Sequence, residues 1–282
     1  MKTIRIIPRL DIKGPNLVKG IHLEGLRVLG KPEVFAEYYY ENEADELMFV
    51  DVVASLYERN SLHEIIEKTA KKIFIPLTVS GGIRSLNDIR EVLRSGADKV
   101  SLNTAAIKNP ELIKKASREF GSSTIVVTIE AIKQSGNEYL AYTDNGREHT
   151  GIEVVAWAKK VEELGAGEIV ITSVDNEGTG RGFDINLTRI ISDSVSIPVI
   201  AHGGCGKQAD VKNVIEAGKA DAVSMASMIH YDTINRISSD DDFKEEGNIE
   251  FLNFGKRSNK FSYTDLISLK KYLSSNKIHC RI

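Results

Sequence analysis

The chain has 282 residues, 41% of them hydrophobic and 27% charged, which fits one large soluble domain of the size that α/β barrels reach undivided. A formal net charge of −3 excludes the broadly basic footprint of a nucleic-acid-binding domain, and no run approaches the roughly 18 apolar residues that a membrane span requires. The two cysteines, Cys205 and Cys280, fit neither a metal-ligand spacing nor a disulfide framework, and the N-terminus lacks a signal peptide's long apolar core, so a cytoplasmic protein without metal or cofactor is expected.

In chain order, short β-branched runs alternate with longer amphipathic ones, the pattern of repeated βα units around a parallel sheet. Strands are expected near 5–10, 46–50, 75–79, 99–103, 124–129, 168–172, 197–201 and 222–226. Helices between them show apolar residues three or four apart, as at Leu62, Ile65 and Ile66, or Val154, Val155, Trp157 and Ala158. After the eighth strand, 231–260 reads as an insertion with the acidic run Asp240-Asp241-Asp242, before a final helical pattern over 264–273. The whole of 1–282 is expected to form one domain.

The two halves of the sequence repeat one another. The run Ile75-Pro76-Leu77-Thr78-Val79-Ser80-Gly81-Gly82 parallels Ile197-Pro198-Val199-Ile200-Ala201-His202-Gly203-Gly204, and Glu46-Leu47 parallels Glu168-Ile169 at the same offset. Four βα units repeated once predict a (β/α)8 TIM barrel built from two half-barrels. In such a barrel the active site lies at the C-terminal ends of the strands. Asp11 ends the first strand and Glu130 the fifth, a pair suited to acid–base work if their environments differ, although barrel rims also carry solvated acids. Gly82 and Gly204 follow the third and seventh strands, where backbone N–H groups can approach an anion. Asn103-Thr104 and Ala226-Ser227 follow the next strand in each half. A lone glycine pair is most often a turn; two related by the repeat predict two phosphate sites and an elongated, bisphosphorylated small-molecule substrate.

The segments Arg5-Ile6-Ile7-Pro8, Leu10-Asp11, Val18-Lys19-Gly20, Ala44-Asp45-Glu46-Leu47, Gly96-Ala97-Asp98-Lys99-Val100, Asn103-Thr104-Ala105-Ala106 and Gly165-Ala166-Gly167-Glu168-Ile169 resemble the HisF family, the cyclase subunit of imidazole glycerol phosphate synthase. That resemblance covers nearly the whole chain outside 231–260. It implies a lyase of histidine biosynthesis that takes ammonia from a HisH-like glutaminase docked on the N-terminal face of the barrel and acts on a bisphosphorylated aminoimidazole ribonucleotide. It implies Asp11 and Glu130 as the catalytic pair. Gly82, Asn103 and Thr104 would contact one phosphate, and Gly178, Gly204, Ala226 and Ser227 the other. Lys19 would lie in a mobile first loop over the substrate, Asp51 would support the site, and Thr172, Glu177 and His202 would complete its wall. Arg5, Glu46, Lys99 and Glu168, which open four strands with charges that must pair or face water, would form the ring through which ammonia passes.

Five positions depart from the family pattern. Glu130 and Glu177 stand where aspartate is usual, Arg9 where cysteine is common, Ser80 for a glycine and His202 for a small residue. Strand alternation puts Arg5, Arg9 and Asp11 on one side, so Arg9 is expected to pair with Asp11 or Glu130 and to lower the pKa of its partner. Because these changes cluster at the mouth and spare the charged ring, an alternative is a HisF-like paralogue that supplies ammonia to a sugar amidotransferase in surface-polysaccharide or nonulosonic acid synthesis.

Overall fold

The computed structural model describes residues 2–54, 62–136, 138–237 and 261–281. Twelve strands form one sheet: β1 (Arg5–Lys13), β2 (Asn16–Ile21), β3 (Glu24–Gly30), β4 (Leu47–Asp51), β5 (Leu77–Ser80), β6 (Lys99–Leu102), β7 (Ile125–Lys133), β8 (Tyr139–Thr143), β9 (Glu148–Glu153), β10 (Glu168–Ser173), β11 (Val199–His202) and β12 (Ala222–Met225). Eight of them, β1, β4, β5, β6, β7, β10, β11 and β12, pair in parallel, and β12 returns to β1 to close the barrel. The eight match the expected strands to within a few residues at each end, and the (β/α)8 architecture stands.

Helices α1 (Pro32–Glu41), α2 (His63–Ala70), α3 (Leu86–Arg94), α4 (Thr104–Lys108), α5 (Glu111–Phe120), α6 (Val154–Glu163), α7 (Ile185–Ser192), α8 (Gln208–Glu216), α9 (Ser227–Thr233) and α10 (Leu266–Ser275) follow the strands. Their starts are written locally. Ser85 and Asp88 complete a reciprocal capping box on α3, and the Asp184 and Asp265 side chains accept N–H groups of α7 and α10. Their buried faces, such as Ile89 and Val92 on α3, pack on the outside of the barrel.

Because each strand alternates, the fold has two cores. On β1, Ile6, Leu10 and Ile12 belong to the layer beneath the helices, whereas Ile7 joins Met48, Val126, Val170, Ile200 and Ala222 inside the barrel. Arg5, Arg9 and Asp11 share the inward parity of Ile7, which places a charge at the floor and two more at the mouth. Of the stretch 231–260 expected as an insertion, Tyr231 to Thr233 belong to α9; residues 238–260 lie outside the described residues.

Two antiparallel hairpins extend the barrel wall at the mouth and were absent from the strand pattern read above. β2 pairs with the end of β1 and then with β3, and β8 pairs with the end of β7 and then with β9.

Candidate active site

At the floor, Arg5, Glu46, Lys99 and Glu168 close into a ring of alternating sign. Arg5 reaches Glu46 at 2.8 Å and Glu168 at 2.9 Å, and Lys99 reaches the same two carboxylates at 3.0 and 3.2 Å. Thr78 donates its hydroxyl to the remaining Glu46 oxygen at 2.7 Å. The four residues come from β1, from the position just before β4, and from β6 and β10, so the ring depends on barrel closure.

At the mouth, a second set of charges is buried. Asp11 gives one carboxylate oxygen to Arg9 Nε at 2.8 Å and the other to Lys19 Nζ at 2.9 Å, and Lys19 also holds Glu177. All four side chains are under 5% exposed. Burial opposes the charge on Asp11, but Arg9 and Lys19 prevail and hold its carboxyl well below the usual carboxylate range. Arg9 thus pairs with Asp11, one of its two expected partners.

Glu130 behaves in the opposite way. Burial pushes its carboxyl up to about 7, against the Gly146 N–H that donates to it at 2.8 Å and the nearby Arg9 charge. The expectation that Arg9 would lower the pKa of its carboxylate holds for Asp11 and fails for Glu130. Desolvation of the longer side chain, which is only 8% exposed, outweighs a charge that lies beyond a direct bond. The mouth therefore carries two carboxylates whose proton affinities have been driven apart, one ionised and one able to hold a proton near neutrality.

The two expected phosphate sites lie on opposite sides of this pair. Gly82, Asn103 and Thr104 line a cavity of about 360 Å³ together with Arg9, Asp51 and Glu130. Asp51 accepts the Val53 N–H at 3.0 Å. Gly81 is required there: its φ is +99° and a Cβ would stand 2.4 Å from the Asp51 carbonyl oxygen. On the other side, Glu177, Gly178, His202, Gly204, Ala226 and Ser227 line a much smaller cleft. Thr172 is the register neighbour of both Glu130 and His202 and is fully buried.

The β2–β3 hairpin explains the difference in size. Its turn residues His22 and Leu23 dock on the loop after β10, with His22 N–H donating to the Glu177 carbonyl at 3.0 Å and Leu23 N–H to the Glu177 carboxylate at 3.3 Å. A Cβ on Gly178 would stand 2.5 Å from the Gly20 carbonyl oxygen, so the two backbones touch. Lys19, carried on β2, is thereby held against Glu177, a lining residue of the second cleft. The β8–β9 turn covers the first half more loosely, with the Asn145 side chain donating to the Val52 carbonyl at 2.6 Å. Sequence reasoning missed Gly146, Asp144 and Asn145 as mouth residues; the Asp-Asn-Gly run between two strand-like segments is a hairpin-turn signal that could have located them.

The sequence matches the family model for histidine biosynthesis protein over residues 5–235. The chain belongs to that family. It is 58% identical over 207 residues to the imidazole glycerol phosphate synthase subunit HisF of Legionella pneumophila, covering 73% of this chain and 98% of the relative. The HisF subunit of Lactococcus lactis subsp. cremoris strain SK11 is 51% identical over 232 residues, covering 82% and 90%, and that of Methanocaldococcus jannaschii 50% identical over 250 residues, covering 82% and 92%. As a member of the histidine biosynthesis family the chain leaves the family match at 235, close to where the undescribed stretch 238–260 begins. Among the described residues no helix is long and apolar enough to cross a membrane, and no group of three or more His, Cys, Asp or Glu is placed to hold a metal ion.

Proposed function

We propose that this chain is the cyclase subunit of an imidazole glycerol phosphate synthase, a lyase of histidine biosynthesis. In this reading it combines ammonia from a glutaminase with a bisphosphorylated aminoimidazole ribonucleotide. The observation that carries this reading is the pairing, inside one barrel, of a charged ring at the floor with an ionised and a protonatable carboxylate at the mouth. The relatives named above carry the HisF name over at least 90% of their length, which leaves the sugar-amidation alternative without comparable support.

Each end has its chemistry. The ring of Arg5, Glu46, Lys99 and Glu168 offers ammonia exchangeable hydrogen-bond partners at the floor and opposes free passage of larger molecules. Asp11, held ionised by Arg9 and Lys19, is a weak proton acceptor and supplies a fixed negative charge, while Glu130, with its carboxyl near 7, can give and take a proton near neutrality. Gly82, Asn103 and Thr104 would hold one phosphate, and Gly178, Gly204, Ala226 and Ser227 the other.

The glutaminase would dock at the floor, where Phe74, 82% exposed and edge-on to Tyr40 with ring centres 6.0 Å apart, offers an aromatic anchor. The test is turnover of the bisphosphorylated precursor with ammonium salts alone. Activity that disappears in Asp11→Asn while the circular dichroism spectrum is retained supports the assignment. No turnover by the unmodified protein, or undiminished turnover in Asp11→Asn, refutes it.

A further inference from the structure

Three adjacent barrel strands end in polar side chains that the proposed acid–base pair leaves unused. Thr172 on β10, His202 on β11 and Ser224 on β12 are consecutive register neighbours. Each has the same parity as the interior residues Val170, Ile200 and Ala222 two positions below. All three are at most 4% exposed, yet among the described residues Thr172 Oγ1, His202 Nε2 and Ser224 Oγ have no hydrogen-bond partner. About nine in ten buried polar groups in native proteins are satisfied, so three orphans in a row at a mouth point to something that binds there.

The histidine fixes what kind of group this is. Its Nδ1 lies 3.1 Å from the Ser224 carbonyl oxygen, which only accepts, so Nδ1 carries the proton. Burial and the Arg9 and Lys19 charges keep the ring neutral. Nε2 is then a bare lone pair that requires a donor. Those same two cations disfavour an ammonium ion and favour the dianionic form of a phosphate, whose oxygens only accept. A neutral hydroxyl fits: it donates to Nε2 and accepts from the serine or threonine. Both His202 and Ser224 face the cleft that Gly204 and Ser227 close, so the hydroxyl belongs to whatever carbon chain bears the phosphate held there.

We infer that His202 Nε2, with Ser224 and Thr172, is a hydroxyl-reading subsite that selects phosphate esters carrying a hydroxyl beside the phosphate. This rests on the reading of Gly204 and Ser227 as a phosphate grip. The large residue at 202 thus sets specificity at the sugar end of the substrate and takes no part in proton transfer.

The subsite is tested by nitrogen-15 magnetic resonance on the intact labelled protein, with His202→Gln used to assign the ring signals. Methyl phosphate and glycerol 3-phosphate share the phosphate and differ in the hydroxyls. Both should move the backbone amide signals of Gly204 and Ser227, and only glycerol 3-phosphate should move His202 Nε2. Glycerol 3-phosphate should also bind about tenfold tighter, the worth of one well-made buried hydrogen bond, and that preference should vanish in His202→Ala. Amide signals that move with both ligands while Nε2 stays still, or moves equally, overturn the hydroxyl subsite and leave the grip intact. Amide and Nε2 signals that ignore both ligands overturn the grip and the subsite together. Neither outcome depends on whether the chain turns over the aminoimidazole precursor.

Discussion

Replacing Glu130 by glutamine removes a mouth carboxylate that burial makes protonatable near neutrality while keeping its shape and its acceptor for Gly146 N–H. In the folded protein burial raises that carboxyl from an ordinary 4.5 to about 7, so the fold favours its neutral form. A group raised in this sense contributes stability in full below its unfolded value and loses it as pH rises through the folded value. The gap corresponds to about 3 kcal/mol, lost between pH 4.5 and just above 7. Glutamine does not titrate. Urea unfolding of both proteins from pH 4.5 to 8.5 should therefore show Glu130→Gln gaining on the unmodified protein by about 2–3 kcal/mol across that range. Turnover should fall about a hundredfold or more, since a general acid is lost, and the unmodified enzyme's rate should show a limb near neutrality. A stability difference that stays flat over the whole range would mean that Glu130 ionises normally in the fold, and the division of labour between Asp11 and Glu130 would collapse with it.

Arg9→Met strips one of two cations from a buried network of two acids and two bases, and should lower unfolding free energy by about 3–5 kcal/mol. Asp11 contributes stability above its ordinary range that is lost as pH falls through its depressed value. The Arg9→Met protein should consequently begin to unfold in acid at a higher pH, read by fluorescence. Gly204→Ala places a Cβ 2.2 Å from the Gly182 carbonyl oxygen at a φ of +100°; it should cost about 1–3 kcal/mol and abolish phosphate binding in the second half while sparing the first, as titration with inorganic phosphate would show. Phe74→Asp should weaken glutaminase association about tenfold or more without changing ammonium-supported turnover, measured by calorimetry beside the kinetic assay.

The barrel strands were legible because burial on both sides leaves a strong signature, a short β-branched run with turn residues at each end. The ring at the floor was legible for the opposite reason: four charges opening four such runs had to find one another once the barrel closed. The β2–β3 hairpin left no such trace. Its turn is made by His22 and Leu23, both with positive φ and neither a usual turn residue. What holds them in that conformation is tertiary, the Glu177 backbone and carboxylate beyond the turn and the burial of Leu23. Glu130 shows a different limit. Its identity and position at the end of a strand could be read, but its proton affinity depends on how completely neighbouring elements exclude water. Gly146, which partners it, arrives from a hairpin that the strand pattern did not include.

The placement of the β2–β3 hairpin has a consequence for how a two-ended molecule is read. A barrel made by duplication presents nearly the same grip twice, related by a half-turn about its axis, and a rod with a phosphate at each end could enter such a receptor either way round. Each half carries a hairpin after its first barrel strand, but β8–β9 covers its half loosely whereas β2–β3 is seated closely. By lying on the loop after β10 and tying Lys19 to Glu177 beside one cleft, β2–β3 sits on the side of the snug slot, with the roomy chamber opposite. Under the proposed function, head and tail would be told apart by width before any atom-specific contact is made, and the reacting end of the rod would meet the same carboxylate each time.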